Sequence, residues 1–151
     1  MPHFMIIEAR YYEDVSGYLL EGAVQALEDE GCTYDVVQVP GALEIPVVVR
    51  LVSDGKNVSD KPFDGYIALG CVIRGQTSHY DIVAGESARG IMDLGTKDGI
   101  AIGNGILTCE TKAQAIVRAD PDQKNKGADA AMAALTLSKI KQTYGSLKDK
   151  K

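Results

Sequence analysis

Cysteine is scarce in this chain and follows no pairing pattern. Cys32, Cys71 and Cys109 are odd in number, widely spaced and free of any Cys-x-x-Cys pair. Neither a disulfide framework nor a zinc cage is therefore expected, and a reducing cytoplasm is the simplest setting. Positive charge is in deficit as well. Sixteen Lys and Arg against 21 Asp and Glu give a net charge of −5. That argues against a broad nucleic-acid surface but leaves room for a local basic pocket holding one small anion. Long apolar runs are missing. The longest, at 45–49 and 67–73, are far too short to cross a membrane. The first residues, Met1-Pro2-His3-Phe4, show no basic segment followed by an apolar stretch and a cleavage site, so no secretion signal is expected. There is no internal repeat. Low complexity is confined to the Lys-rich end at 148–151, read as part of a frayed tail over 146–151. Neither Gly-x-Gly-x-x-Gly nor Gly-x-x-x-x-Gly-Lys-Ser/Thr occurs, so dinucleotide-binding and P-loop readings lack support. No metal-ligand spacing is found.

What is present is an ordinary globular mix, 45% apolar and 25% charged over 151 residues, which suits one domain with one core. Short apolar runs alternate with helical patterns. Strands are expected at 4–9, 34–39, 66–73 and 100–107, the third buried on both faces because its apolar character is continuous. Helices are expected at 15–30, with Leu19, Leu20, Ala23, Val24 and Leu27 on one face and Gly31 as the stop, and at 46–52, with Pro46 in the first turn. Further helices follow at 81–97, opened by Ser78 and Asp81 as a capping pair, and at 111–118, opened by a Thr111–Gln114 capping box. An alanine-rich helix from Lys126 to Tyr144 comes last. Residues 55–62 read as a surface loop. The alternation predicts an α/β three-layer sandwich, a four-stranded parallel sheet with helices on both faces. Ligands in such sheets bind beyond the carboxyl ends of the strands. Those ends fall at 10–11, 40–44, 71–79 and 107–108.

The chemistry-bearing residues cluster at these addresses. The segment 70–79 leaves a buried strand and enters a helix. Gly75 permits a close turn, and Gln76, Thr77 and Ser78 offer N–H groups and hydroxyls near a helix N-terminus, where an anion is favoured. His79 would stand beside that anion, and imidazole is a side chain whose intrinsic chemistry suits proton transfer near neutrality. Alternatively it caps or packs. Glu44 either complements a helix dipole or accepts hydrogen bonds from a polyhydroxylated ligand. Tyr11 either stacks on a flat ring or is an ordinary half-buried aromatic. Arg118 either complements the end of its helix or clamps a phosphate. His3 has no visible partner and no assigned role.

Five strings stand in family order along the chain: VPGALEIP at 39–46, LGCVIRGQTSH at 69–79, GILT at 105–108, QAIVRA at 114–119 and NKG at 125–127. Together they resemble the lumazine synthases over residues 4–144. The resemblance implies a flavodoxin-like sandwich. It also implies a cofactor-free condensation of 5-amino-6-(D-ribitylamino)uracil with 3,4-dihydroxy-2-butanone 4-phosphate to give 6,7-dimethyl-8-ribityllumazine, a precursor of riboflavin. By position, His79 corresponds to the family's proton-transfer histidine. Gln76, Thr77 and Arg118 correspond to its phosphate site, Gln76 acting through its backbone. Tyr11 corresponds to the aromatic that stacks on the pyrimidine. Ala42, Leu43 and Glu44 correspond to the ribityl-binding segment, and Cys71, Val72 and Ile73 to the strand end that reads the pyrimidine. Asn104 occupies the place of a residue that reaches a neighbouring subunit's site, and Lys126 that of a lysine on the phosphate side.

The chain departs from the family at three of these places. Many members carry an aromatic or aliphatic residue at Asn104, Asn at Tyr12, and Glu or Ala at Gln76. None of these departures removes the histidine, the arginine or the glutamate, so an active enzyme with altered pocket detail is expected. A non-catalytic flavin- or lumazine-binding protein would use Tyr11 and Glu44 but leave His79 and Arg118 without purpose. A flavodoxin-type electron carrier would need a phosphate-wrapping loop after the first strand, where Arg10 to Asp14 are bulky, acidic and glycine-free. The resemblance further implies rings of five subunits with sites between neighbours. Shell-forming members carry Gly-x-Lys-x-Gly in the turn between the last two helices. Residues 119–125 have no glycine there, and they add Pro121, Asp120 and Asp122. A free pentamer is expected, ahead of a face-to-face decamer, and a sixty-subunit shell is not.

Overall fold

The computed structural model describes residues 1–54 and 62–145. The expectations for 55–61 and for the tail at 146–151 lie outside the described residues. The elements alternate as β1 (His3–Ala9), α1 (Glu13–Asp29), β2 (Thr33–Val39), α2 (Glu44–Asp54), β3 (Gly65–Ile73), α3 (His79–Asp98) and β4 (Ile102–Cys109). Two helices close the chain, α4 (Lys112–Ala119) and α5 (Lys126–Tyr144). The strands form one sheet in the order β2-β1-β3-β4, every pair parallel. Every residue of β1 is buried. Because a strand points successive side chains to opposite faces, its apolar run feeds two cores. Phe4 and Ile6 pack with Leu19 and Leu27 of α1, Ala115 of α4 and Ala131 and Leu135 of α5. Met5, Ile7 and Ala9 pack with Ile45 and Val49 of α2 and Ile91 and Leu94 of α3. Helices α1, α4 and α5 thus cover one face and α2 and α3 the other, which is the expected three-layer sandwich.

Alanine and glycine set how close α5 comes to the sheet. A Cβ on Gly103 would lie 1.8 Å from the Ala130 carbonyl oxygen. The helix backbone therefore rests directly on β4, with Ala130, Ala131 and Ala134 buried between. At the other end of the sheet, Gly31 takes φ +70 and stops α1, as expected.

Several element bounds differ from the sequence expectation by a residue or two; α1 begins at Glu13 and β4 at Ile102. Helix α2 begins at Glu44, so Pro46 is its third residue; it still falls in the first turn, where a missing N–H leaves no helical bond unmade. Helix α3 begins at His79, and the expected Ser78–Asp81 capping pair does not form. Ser78 makes no side-chain cap bond. Thr77 Oγ1 instead accepts from the His79 N–H at 3.3 Å, and the Asp81 carboxylate is taken by Arg74 at 3.3 Å. Strand β4 runs to Cys109, two residues beyond the expected end. The Thr111–Gln114 capping box forms as expected, with Thr111 Oγ1 accepting from the Gln114 N–H at 3.2 Å.

Candidate active site

Three strands deliver their carboxyl ends to one crevice. The loop after β1 brings Tyr11 and Tyr12. The segment after β2 brings Gly41, Ala42, Leu43 and Glu44. The end of β3 and the start of α3 bring Cys71, Val72, Ile73, Gly75, Thr77, His79, Tyr80 and Val83. Together with Ala9 they enclose a cavity of about 420 Å³, a size suited to a small ligand. It lies where the strand order places β1 between β2 and β3, so connections run off both sides of the first strand.

The walls divide by chemistry. Ala42 and Cys71 are buried and form the apolar floor. Tyr11 stands 75% exposed at the mouth, in edge-to-face contact with Tyr12 at 4.9 Å. An aromatic so exposed contributes nothing to the core and offers a free ring face. Glu44 is exposed in the first turn of α2, where the helix N-terminus favours its charge. It has no ion-pair partner among the described residues. His79 opens α3 beside Thr77, its imidazole on the cavity wall. Burial, reinforced by Cys109 and Asp14, pushes the Cys71 thiol up to about 12. It therefore stays protonated near neutrality and is a wall group, without nucleophilic character. Burial likewise raises the Tyr12 phenol. Among the described residues no three or more His, Cys, Asp or Glu side chains gather in a way that could hold a metal ion, and no helix is long and apolar enough to cross a membrane.

The structure thus brings together nine of the residues singled out from sequence: Tyr11, Ala42, Leu43, Glu44, Cys71, Val72, Ile73, Thr77 and His79. Four others lie outside the crevice. Gln76 is exposed on the loop before α3. Asn104 is exposed on β4, at the sheet edge, and its Oδ1 accepts from the Ile106 N–H at 2.9 Å. Arg118 lies on α4, on the face of the sheet opposite α3, and donates to the Gln114 carbonyl at 3.0 Å. Lys126 is likewise elsewhere, paired with Asp129 at 3.3 Å.

Sequence reading missed Tyr12, Tyr80 and Val83 as lining residues. Val83 was discoverable, because it follows His79 by one helical turn and shares its face. Tyr12 gave no such signal, since its direction depends on the turn out of β1.

Comparison with known proteins agrees along nearly the whole length. A family model described as 6,7-dimethyl-8-ribityllumazine synthase matches residues 2–142. A protein of that name from Agrobacterium fabrum is 51% identical over 144 residues, covering 95% of this chain and 97% of its own. Namesakes from Novosphingobium aromaticivorans and Zymomonas mobilis are each 53% identical, over 95% and 94% of this chain and 99% and 98% of theirs. At such identity over nearly every described element, the chain belongs to the 6,7-dimethyl-8-ribityllumazine synthase family.

Proposed function

We propose that the crevice condenses 5-amino-6-(D-ribitylamino)uracil with 3,4-dihydroxy-2-butanone 4-phosphate to give 6,7-dimethyl-8-ribityllumazine. The observation that carries this is the meeting, in one cavity, of an exposed aromatic ring, a carboxylate without an ion-pair partner among the described residues, and an imidazole beside a glycine–hydroxyl loop. Tyr11 stacks on the pyrimidine, backbone groups of Cys71, Val72 and Ile73 read its edge, and Glu44 with Ala42 and Leu43 holds the ribityl chain. Thr77 and the N–H of Gln76 hold the phosphate at the start of α3, where helix N–H groups lack partners. The amine and the ketone form an imine with loss of water. Proton removal from the four-carbon unit then expels phosphate, and the ring closes with loss of a second water. His79 is the group within reach to carry protons through these steps. Holding both substrates in one geometry supplies much of the remaining acceleration.

Arg118 and Asn104 reach the chemistry only from a second copy. Neither lines this chain's own crevice, so in this reading the complete site lies between subunits of a homo-oligomer, a pentamer. A reducing cytoplasm suits the three free cysteines. The test is to mix the two substrates with the protein and follow the lumazine product by its absorbance. Product formation supports the reading. Flavin or lumazine binding without product would make the chain a carrier built on the same pocket.

A further inference from the structure

We propose that Arg74, which stands outside the crevice, is a positioning residue that sets the loop of Gly75, Gln76, Thr77 and Ser78 for the phosphorylated substrate. This rests on the reading of that loop as the phosphate cradle. Arg74 is the first residue past β3. Its backbone N–H donates to the Cys109 carbonyl at 2.9 Å and so prolongs the β3–β4 ladder by one bond. Its guanidinium reaches in three directions. Nε donates to Glu110 at 2.8 Å, Nη1 donates to Asp81 at 3.3 Å, and the Cζ lies 4.3 Å from the Tyr80 ring centroid. One side chain therefore ties the root of the loop to the first turn of α3, where the loop ends, and to the link between β4 and α4.

The loop has little else to define it. All four of its residues are exposed, so no apolar packing holds it. Its remaining ties are the Thr77 hydroxyl to the His79 N–H and the Ser78 carbonyl to the N–H groups of Asp81 and Ile82. A planar guanidinium fork is suited to bridging two carboxylates while stacking on a ring, and lysine cannot do both. The same contacts act electrostatically. Asp81 carries a negative charge in the first turn of the helix whose N-terminus would face the phosphate, and Arg74 offsets it. Losing Arg74 frees the loop and leaves that carboxylate to repel the anion.

Steady-state kinetics with each substrate varied in turn, together with inhibition by inorganic phosphate, tests this. Arg74→Ala should raise KM for the butanone phosphate by about tenfold and weaken phosphate inhibition alike, while KM for the ribitylaminouracil and kcat change by less than about threefold. Adding Asp81→Asn to that variant should recover part of the loss, and Arg74→Lys should fall between wild type and Arg74→Ala. A KM for the butanone phosphate within about twofold of wild type, or an equal rise in both KM values, overturns the inference. If Arg74→Ala does not fold, Glu110→Gln is read instead: a smaller rise confined to the phosphorylated substrate supports the role, and no rise overturns it. A wild-type protein that forms no product would overturn the proposed reaction, whereas a normal wild type with an unaffected Arg74→Ala overturns only the role of Arg74.

Discussion

At the scale of single residues, the crevice combines buried wall groups such as Ala42 and Cys71 with exposed polar ones such as Glu44, Thr77 and His79. His79 sits at the first position of α3 with its ring on the cavity wall, and no other imidazole lines that cavity. Replacing it with alanine should lower kcat toward the smaller end of the ~10²–10⁴-fold range of general acid–base groups, because proximity supplies part of the rate. Stopped-flow turnover checks this, and an unchanged kcat would remove His79 from the chemistry. Cys71 makes a different prediction. Its thiol is held up to about 12 from an ordinary value of 9.0, chiefly by burial. A raised folded-state value means that the unfolded chain releases the proton first as pH rises. The stabilisation is complete below pH 9 and is lost progressively as the pH climbs toward 12. Tyr12, Tyr34 and Tyr66, also raised by burial, act in the same direction. Urea midpoints measured from pH 8 upward should fall, and Cys71→Ala should make that fall shallower.

Between elements, contact distance is the controlling variable. Helix α5 can lie on β4 only because Gly103 has no side chain, since a Cβ there would meet the Ala130 carbonyl at 1.8 Å and the Ala134 nitrogen at 3.1 Å. Both are backbone atoms and cannot rotate away. Gly103→Ala must push α5 off the sheet, opening the core formed by Ala131, Ala134 and Leu135. Overpacking of this kind costs about 1–3 kcal/mol, at the upper end or beyond when backbone must move. Chemical denaturation would show the loss, and a variant as stable as wild type would mean that α5 can shift freely. The α4–α5 turn follows the same local logic. Asp120, ahead of Pro121, is extended at ψ 121, and its carboxylate accepts from the Asp122 N–H at 2.9 Å. The positive φ that the turn requires falls on Asn125, at 49, the one non-glycine to adopt it among the described residues. Asn tolerates this conformation better than most residues.

For the whole molecule, assembly is tested by whether His79 and Arg118 serve one shared site. His79 and Thr77 line one crevice, while Arg118 sits on the opposite side of the sheet. If the site is shared, His79→Ala and Arg118→Ala subunits, each weak alone, should recover part of the activity when unfolded together and refolded as a mixture. Mixed assemblies contain interfaces in which both wild-type groups face each other. No recovery would place Arg118 outside the site. Light scattering coupled to size exclusion should give a particle five times the 16.1 kDa chain. The turn between α4 and α5 has no glycine, is stiffened by Pro121 and carries the like charges of Asp120 and Asp122, so a sixty-subunit shell is not expected. A megadalton particle would show that this turn does not govern shell formation.

The sequence by itself determined the order and type of every element, because each signal is local. A short apolar run marks β1, helical spacing marks α1, and Gly31 and the Thr111–Gln114 box mark ends. It also determined the addresses of the crevice, since strand ends are readable wherever strands are. Only the tertiary structure decided which addresses meet. The carboxyl ends of β1, β2 and β3 converge, whereas Asn104 is exposed on the strand at the sheet's edge among the described residues. Only the tertiary structure decided the start of α3. Ser78 and Asp81 have the right spacing for a cap, but the Asp81 carboxylate is drawn off by Arg74, itself fixed by Glu110, 36 residues away. Periodicity describes what a residue does to its own segment. A guanidinium bridging three segments, or a helix resting on a bare glycine, depends on distances that exist only once the chain has packed.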